Sequence, residues 1–303
     1  MIDNLSNYKI TSKREEYGVV DSILSQLNTW LKNSGNYDDF INVSYKPTAL
    51  NKVVFRVCDE LDIPVSRHWY IYGPALEDYD YNYIKNFQDT RPADKVDRRL
   101  SNIFQEEISQ ILKNKYVQEY ERYVYTSRCE ATLKESYLSN LDLRKTISDN
   151  FYLIQCDKKI DVDSIQKQIS KFQLAVSSKN FLNTLEIDDK YLDLIIDYTS
   201  NLEDIILASN FIKLNDFRGV YVNHLNELVS SLSHDVWGGL IANFISKKTY
   251  VSYSKKSDGE HLKRTEERIR VYSQRISEFI CDNYSNYGAL FNLTSSDLLS
   301  VTS

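Results

Sequence analysis

Apolar side chains recur three and four positions apart along most of this chain, the spacing that lines them up on one stripe of an α-helix. Leu100, Ile103, Phe104, Ile108, Ile111, Leu112, Val117 and Tyr120 keep this rhythm and predict one helix of several turns. Val162, Ile165, Ile169, Phe172 and Val176 repeat it, as do Tyr191, Ile195, Tyr198, Leu202 and Ile205, each behind an acidic segment suited to a helix N-terminus. Further helices are expected from about Leu225 to Ile245 and from about Leu262 to Asn283, the latter placing Ile269, Tyr272, Ile276, Phe279 and Ile280 on one face. Nearer the start, Val19, Val20, Ile23, Leu24, Leu27, Trp30 and Leu31 mark a helix over Arg14 to Lys32, stopped by Asn33, Ser34 and Gly35. Residues 294–303 read as a loose tail or a short docking segment.

The helix breakers divide the chain. All four prolines, Pro47, Pro64, Pro74 and Pro92, lie in the first 92 residues, and no glycine occurs between Gly73 and Gly219. The middle of the chain can therefore carry long uninterrupted helices, and the first third must be more irregular. After Pro47, Thr48 can cap a helix whose Leu50, Val53, Val54, Val57 and Leu61 face inward and which ends before Asp62 and Pro64. Residues 67–74, Arg-His-Trp-Tyr-Ile-Tyr-Gly-Pro, are aromatic and β-branched and favour an extended strand or wing. The expected fold is mostly α: a winged-helix-like N-terminal domain over residues 1–90, then a long-helix bundle over 91–303.

Two short motifs in the first third resemble a known family. Leu50-Asn51-Lys52-Val53-Val54-Phe55, followed after a gap by Trp69-Tyr70-Ile71-Tyr72-Gly73-Pro74, is similar to the Panacea, or SocA-like antitoxin, domain of prokaryotic defence and toxin-antitoxin proteins, over about residues 14–90. The resemblance implies a domain that binds protein partners and supplies no active-site residues. Trp69, Tyr70 and Tyr72 can pack the N-terminal core, or with Tyr79, Tyr81 and Tyr83 they form a partner surface, since tyrosine gives large contact area at low entropic cost.

Composition narrows the partners. A formal net charge of -6 disfavours binding to a phosphate backbone and weakens a DNA-binding reading. A local basic strip of Lys247, Lys248, Lys255 and Lys256, continued by Lys263, Arg264, Arg268 and Arg270, is the one candidate nucleic-acid surface, balanced by Glu260, Glu266 and Glu267. The four cysteines are far apart, with no metal-ligand spacing, and read as reduced core thiols. No apolar run suits a signal peptide or a membrane span, which points to the cytoplasm.

One enzymatic pattern competes. Arg218 and His224, with five residues between them in a helical region, resemble the R-x4-6-H motif of HEPN ribonucleases, in which histidine handles a 2′-hydroxyl proton and arginine the phosphate charge. Chance supplies about half such a match in a chain of this composition. His234-Asp235 lacks the further ligands of a metal hydrolase, and the nucleotide-binding, nucleophile-elbow and zincin motifs are missing. Neither cofactor nor metal is expected. The chain therefore reads as a non-catalytic accessory or regulatory subunit of a prokaryotic antiphage defence or toxin-antitoxin-like system, acting on protein subunits of that system, an ATPase or nuclease among the candidates.

Overall fold

The structure, a computed structural model, describes residues 9–70, 73–77, 87–155, 161–208 and 226–301. It is mostly α-helical, with a single two-stranded antiparallel sheet among the described residues. Two compact units emerge: Met1–Arg128 with Ile245–Arg264, and Cys129–Phe244 with Thr265–Ser303. The division expected near residue 90 is not where the chain parts, because the helix after it packs on the N-terminal helices.

In the first unit, α1 (Lys13–Ser34) begins at Ser12, whose hydroxyl accepts the Glu15 N–H at 3.3 Å, and ends at Gly35 in the left-handed conformation. A short α2 (Tyr37–Ile41) leads to α3 (Lys46–Glu60). Helix α3 starts two residues before the expected Thr48 cap, since Pro47 fits the first turn, where its missing N–H would have no partner anyway. The stripe from Leu100 to Tyr120 is two helices, α4 (Arg98–Lys113) and α5 (Val117–Arg128). At the break, Asn114 is extended and the buried Tyr45 hydroxyl reaches the carbonyls of Ile111 at 2.8 Å and Asn114 at 2.7 Å. The hydroxyl's single proton is shared between them, a tie from outside the helix at the point where the chain turns. The apolar faces of α1, α3 and α4 share one core, in which Trp30 meets Phe104 edge-on and Tyr45 stacks on Tyr120.

The segment expected as one strand is a hairpin, β1 (Arg67–Tyr70) with β2 (Gly73–Leu76), so Gly73-Pro74 opens the second strand instead of ending the first. Register explains the proline. Arg67 exchanges both backbone hydrogen bonds with Val251, and the Trp69 N–H donates to Thr249 Oγ1 at 2.9 Å. Residues 67 and 69 thus turn their backbone groups away from β2, and Pro74, opposite Trp69, stands where the ladder needs no N–H.

In the second unit, α6 (Ala131–Gln155) packs on α7 (Val162–Val176), which packs on α8 (Lys179–Leu185) and α9 (Asp189–Ala208). Helix α6 has no clean apolar stripe in the sequence because Asn140 and Asn150 share its buried positions with Leu133, Tyr137, Leu143 and Ile147. The expected helix over Leu225–Ile245 contains a π-helical stretch, Leu232–Ile241, before α10 (Ala242–Thr249). Gly239 in that stretch lies directly against the Tyr272 ring, where no Cβ fits. Helix α11 (Lys255–Val301) starts before and runs well past the expected Leu262–Asn283, so residues 294–301, read from sequence as a loose tail or a short docking segment, are helical.

Candidate functional site

The two motifs that carry the family resemblance meet in space. Asn51 Oδ1 accepts the Leu76 N–H at 3.0 Å, an N–H that β1 leaves unused, and Phe55 meets Trp69 edge-on with centroids 6.5 Å apart. Gly73, at φ 90, is approached so closely that an added Cβ would stand 3.0 Å from the Tyr125 ring and 3.2 Å from Lys52 Nζ. The positive φ favours glycine here, and a Cβ would also press on both neighbours. Trp69 is half-buried between Phe55 and Tyr125, so its ring is largely taken up by packing. Tyr70 closes the hairpin opposite Gly73, while Tyr72, Tyr79 and Tyr81 lie outside the described residues.

Alternation along β1 sends neighbouring side chains to opposite faces, and a different polar cluster stands on each. On the Trp69 face, the wholly buried Glu107 of α4 accepts from Arg56 at 3.0 Å and from Arg128 and the Tyr120 hydroxyl. Arg56 also reaches Glu60 at 2.7 Å and Glu106 at 2.6 Å. Burial, together with the Glu107 charge, pushes the Tyr120 hydroxyl well above the ordinary tyrosine range. Lys52 is buried beside them. Burial lowers its pKa to about 8, although the carboxylates of Glu121 and Glu107 oppose the fall.

That value sets a pH dependence. An amine with a depressed folded pKa weakens the fold while it is charged, so its penalty is complete below about pH 8 and disappears as pH rises towards the unfolded value of 10.5. Wild type should therefore gain at most about 2 kcal/mol relative to Lys52→Met between pH 7.5 and 10. Urea midpoints of both proteins at the two pH values check this, and an unchanged gap between them would refute it.

On the other face, the His68 side chain of β1 meets Ser246 of α10 and His261 of α11. His68 Nδ1 lies 2.9 Å from Ser246 Oγ and 3.0 Å from the Trp69 carbonyl. A carbonyl only accepts, so its proximity assigns the proton to His68 Nδ1. Ser246 Oγ lies 3.1 Å from His261 Nε2, and His261 Nδ1 lies 2.8 Å from Glu77 Oε1. Arg264 and the Tyr250 hydroxyl also donate to Glu77, and Tyr250 stacks on the His261 ring at 3.7 Å and 4°. Burial would raise the Glu77 pKa, but the donors His261, Tyr250 and Arg264 outweigh it and hold the carboxyl below its usual range. With Glu77 ionised, donation runs one way: His68 to Ser246 to His261 to Glu77.

Sequence reasoning missed this set because Glu77 and His261 are 184 positions apart and no local motif joins them. The signal was indirect: a hairpin whose outer edge needs a partner, and a late polar segment able to supply one.

The other candidates fare differently. Lys248, Lys255 and Lys256 are exposed and Lys247 is half-buried. Their basic strip is partly neutralised, with Lys256 3.8 Å from Glu260, Arg264 on Glu77 and Arg270 on Glu267 at 2.6 Å. Arg218 and His224 lie outside the described residues. Asp235 accepts from Ser231 at 2.7 Å and lies 3.3 Å from Arg275, while its neighbour His234 is exposed. Among the described residues, no group of three His, Cys, Asp or Glu side chains is placed to hold a metal ion, and no helix is long and apolar enough to cross a membrane. No family model matches the chain, and no curated protein or solved structure matches it at a significant level.

Proposed function

We propose that this protein is an accessory or regulatory subunit of a prokaryotic antiphage defence or toxin-antitoxin-like system, working by contact with another protein of that system. The observation behind this reading is the union of its two motifs: Asn51, Lys52 and Phe55 of one helix fit Leu76, Gly73 and Trp69 of one hairpin. Such mutual fitting makes a rigid base, and a rigid base lowers the entropic cost of presenting adjoining side chains to a partner. The run Tyr79, Tyr81 and Tyr83 follows the hairpin directly in sequence and supplies the residue type most often found at the centre of protein interfaces.

Co-expression with the products of the neighbouring genes, followed by size-exclusion chromatography with light scattering, tests the reading. A complex of fixed stoichiometry is expected, and the double variant Tyr79→Ala/Tyr81→Ala should weaken it about 100-fold. Failure of every neighbouring product to associate, or an affinity indifferent to the two tyrosines, would count against it.

A further inference from the structure

We propose that Ser246 is a nucleophilic serine, with His261 as its general base, Glu77 orienting the imidazole, and short-chain carboxylic esters as the substrate class. Three features of the geometry support this. First, the base presents the correct atoms: Nε2 stands 3.1 Å from the hydroxyl and Nδ1 stands 2.8 Å from the carboxylate. Second, the base cannot turn, since the parallel Tyr250 ring covers its face and Arg264 and Tyr250 fix the carboxylate that holds it. Third, the His68 Nδ1–H, shared between the Trp69 carbonyl at 3.0 Å and Ser246 Oγ at 2.9 Å, is a donor beside the place where negative charge would develop on a carbonyl bound to that oxygen.

The proposed step balances without an outside oxidant or metal. As Oγ bonds to the ester carbonyl carbon, its proton passes to His261 Nε2 and the carbonyl π pair moves onto oxygen, which takes the His68 N–H. Collapse re-forms the carbonyl and breaks the bond to the alkoxy group, which leaves as alcohol with the proton from Nε2. Water, deprotonated by the same nitrogen, then releases the acid and restores Ser246. Ser246 and both histidines are buried, which limits any substrate of this serine to a small acyl group. This activity is additional to partner binding and uses none of the tyrosines invoked there.

Incubation of the folded protein with a small alkyl fluorophosphonate, read by intact mass and peptide mapping, decides the matter. A single adduct on Ser246 is expected, absent in Ser246→Ala and formed about 100-fold more slowly in His261→Gln. Glu77→Gln preserves size and a hydrogen-bonding oxygen, and should slow labelling at least about tenfold even if His261→Gln does not fold. Wild-type protein with intact circular dichroism that takes no phosphonate, takes it at another residue, or labels as fast when Glu77 is Gln overturns the proposal.

Discussion

Glu107→Ala is expected to lower the free energy of unfolding by about 4 kcal/mol. The carboxylate is fully buried and binds Arg56, Arg128 and the Tyr120 hydroxyl at once. Truncation would take from the partly buried Arg128 its carboxylate partner and from Arg56 one of three, and the uncompensated desolvation is the main cost; the bonds themselves contribute less. Arg56 keeps Glu60 and Glu106, which limits the damage on its side, whereas Arg128 keeps a contact with the Tyr123 hydroxyl at 3.3 Å. Chemical denaturation of the two proteins would measure the difference. A loss below about 1 kcal/mol would mean that water reaches the cluster and that its charges are solvated rather than mutually held.

The second large effect is expected in the other unit. Trp237 is 1% exposed, and its ring meets Tyr137 at 5.1 Å and Phe172 at 6.1 Å, both edge-on. Trp237→Ala should cost about 3 to 5 kcal/mol through lost burial and the cavity left behind. Those two rings come from α6 and α7, so the cavity opens where the unit's main helix pair joins, and near-UV circular dichroism should lose aromatic signal. Trp237→Phe keeps part of the edge contact and should lose clearly less. Equal stability for the alanine and phenylalanine variants would contradict this account of the core.

Much of the helical framework was legible from the chain because apolar spacing reports directly on helix faces. The α7 stripe, Val162 to Val176, agrees with the helix to the residue, and α1 agrees to within two at either end. Legibility failed where tertiary contacts decide. The break at Asn114 depends on a tyrosine hydroxyl from 66 to 69 positions earlier, which no local pattern announces. Helix α6 was hidden by buried asparagines, which look like solvent positions to any periodicity. The hairpin was half seen: β-branched and aromatic content marked an extended segment, but only pairing to Thr249 and Val251 shows why Pro74 can sit in its second strand. The Ser246 set was the least legible, because its members share nothing until the fold assembles them.

The edge of β1 carries one further consequence. Its outward backbone groups at Arg67 and Trp69 find their partners on residues 249 and 251, which a ribosome adds some 180 residues later. During synthesis the nascent N-terminal unit must therefore wait with an open, sticky margin, a known invitation to intermolecular pairing. Expression of residues 1–128 alone would make that waiting state permanent, and a chaperone's help would matter most in the interval before the late strap arrives.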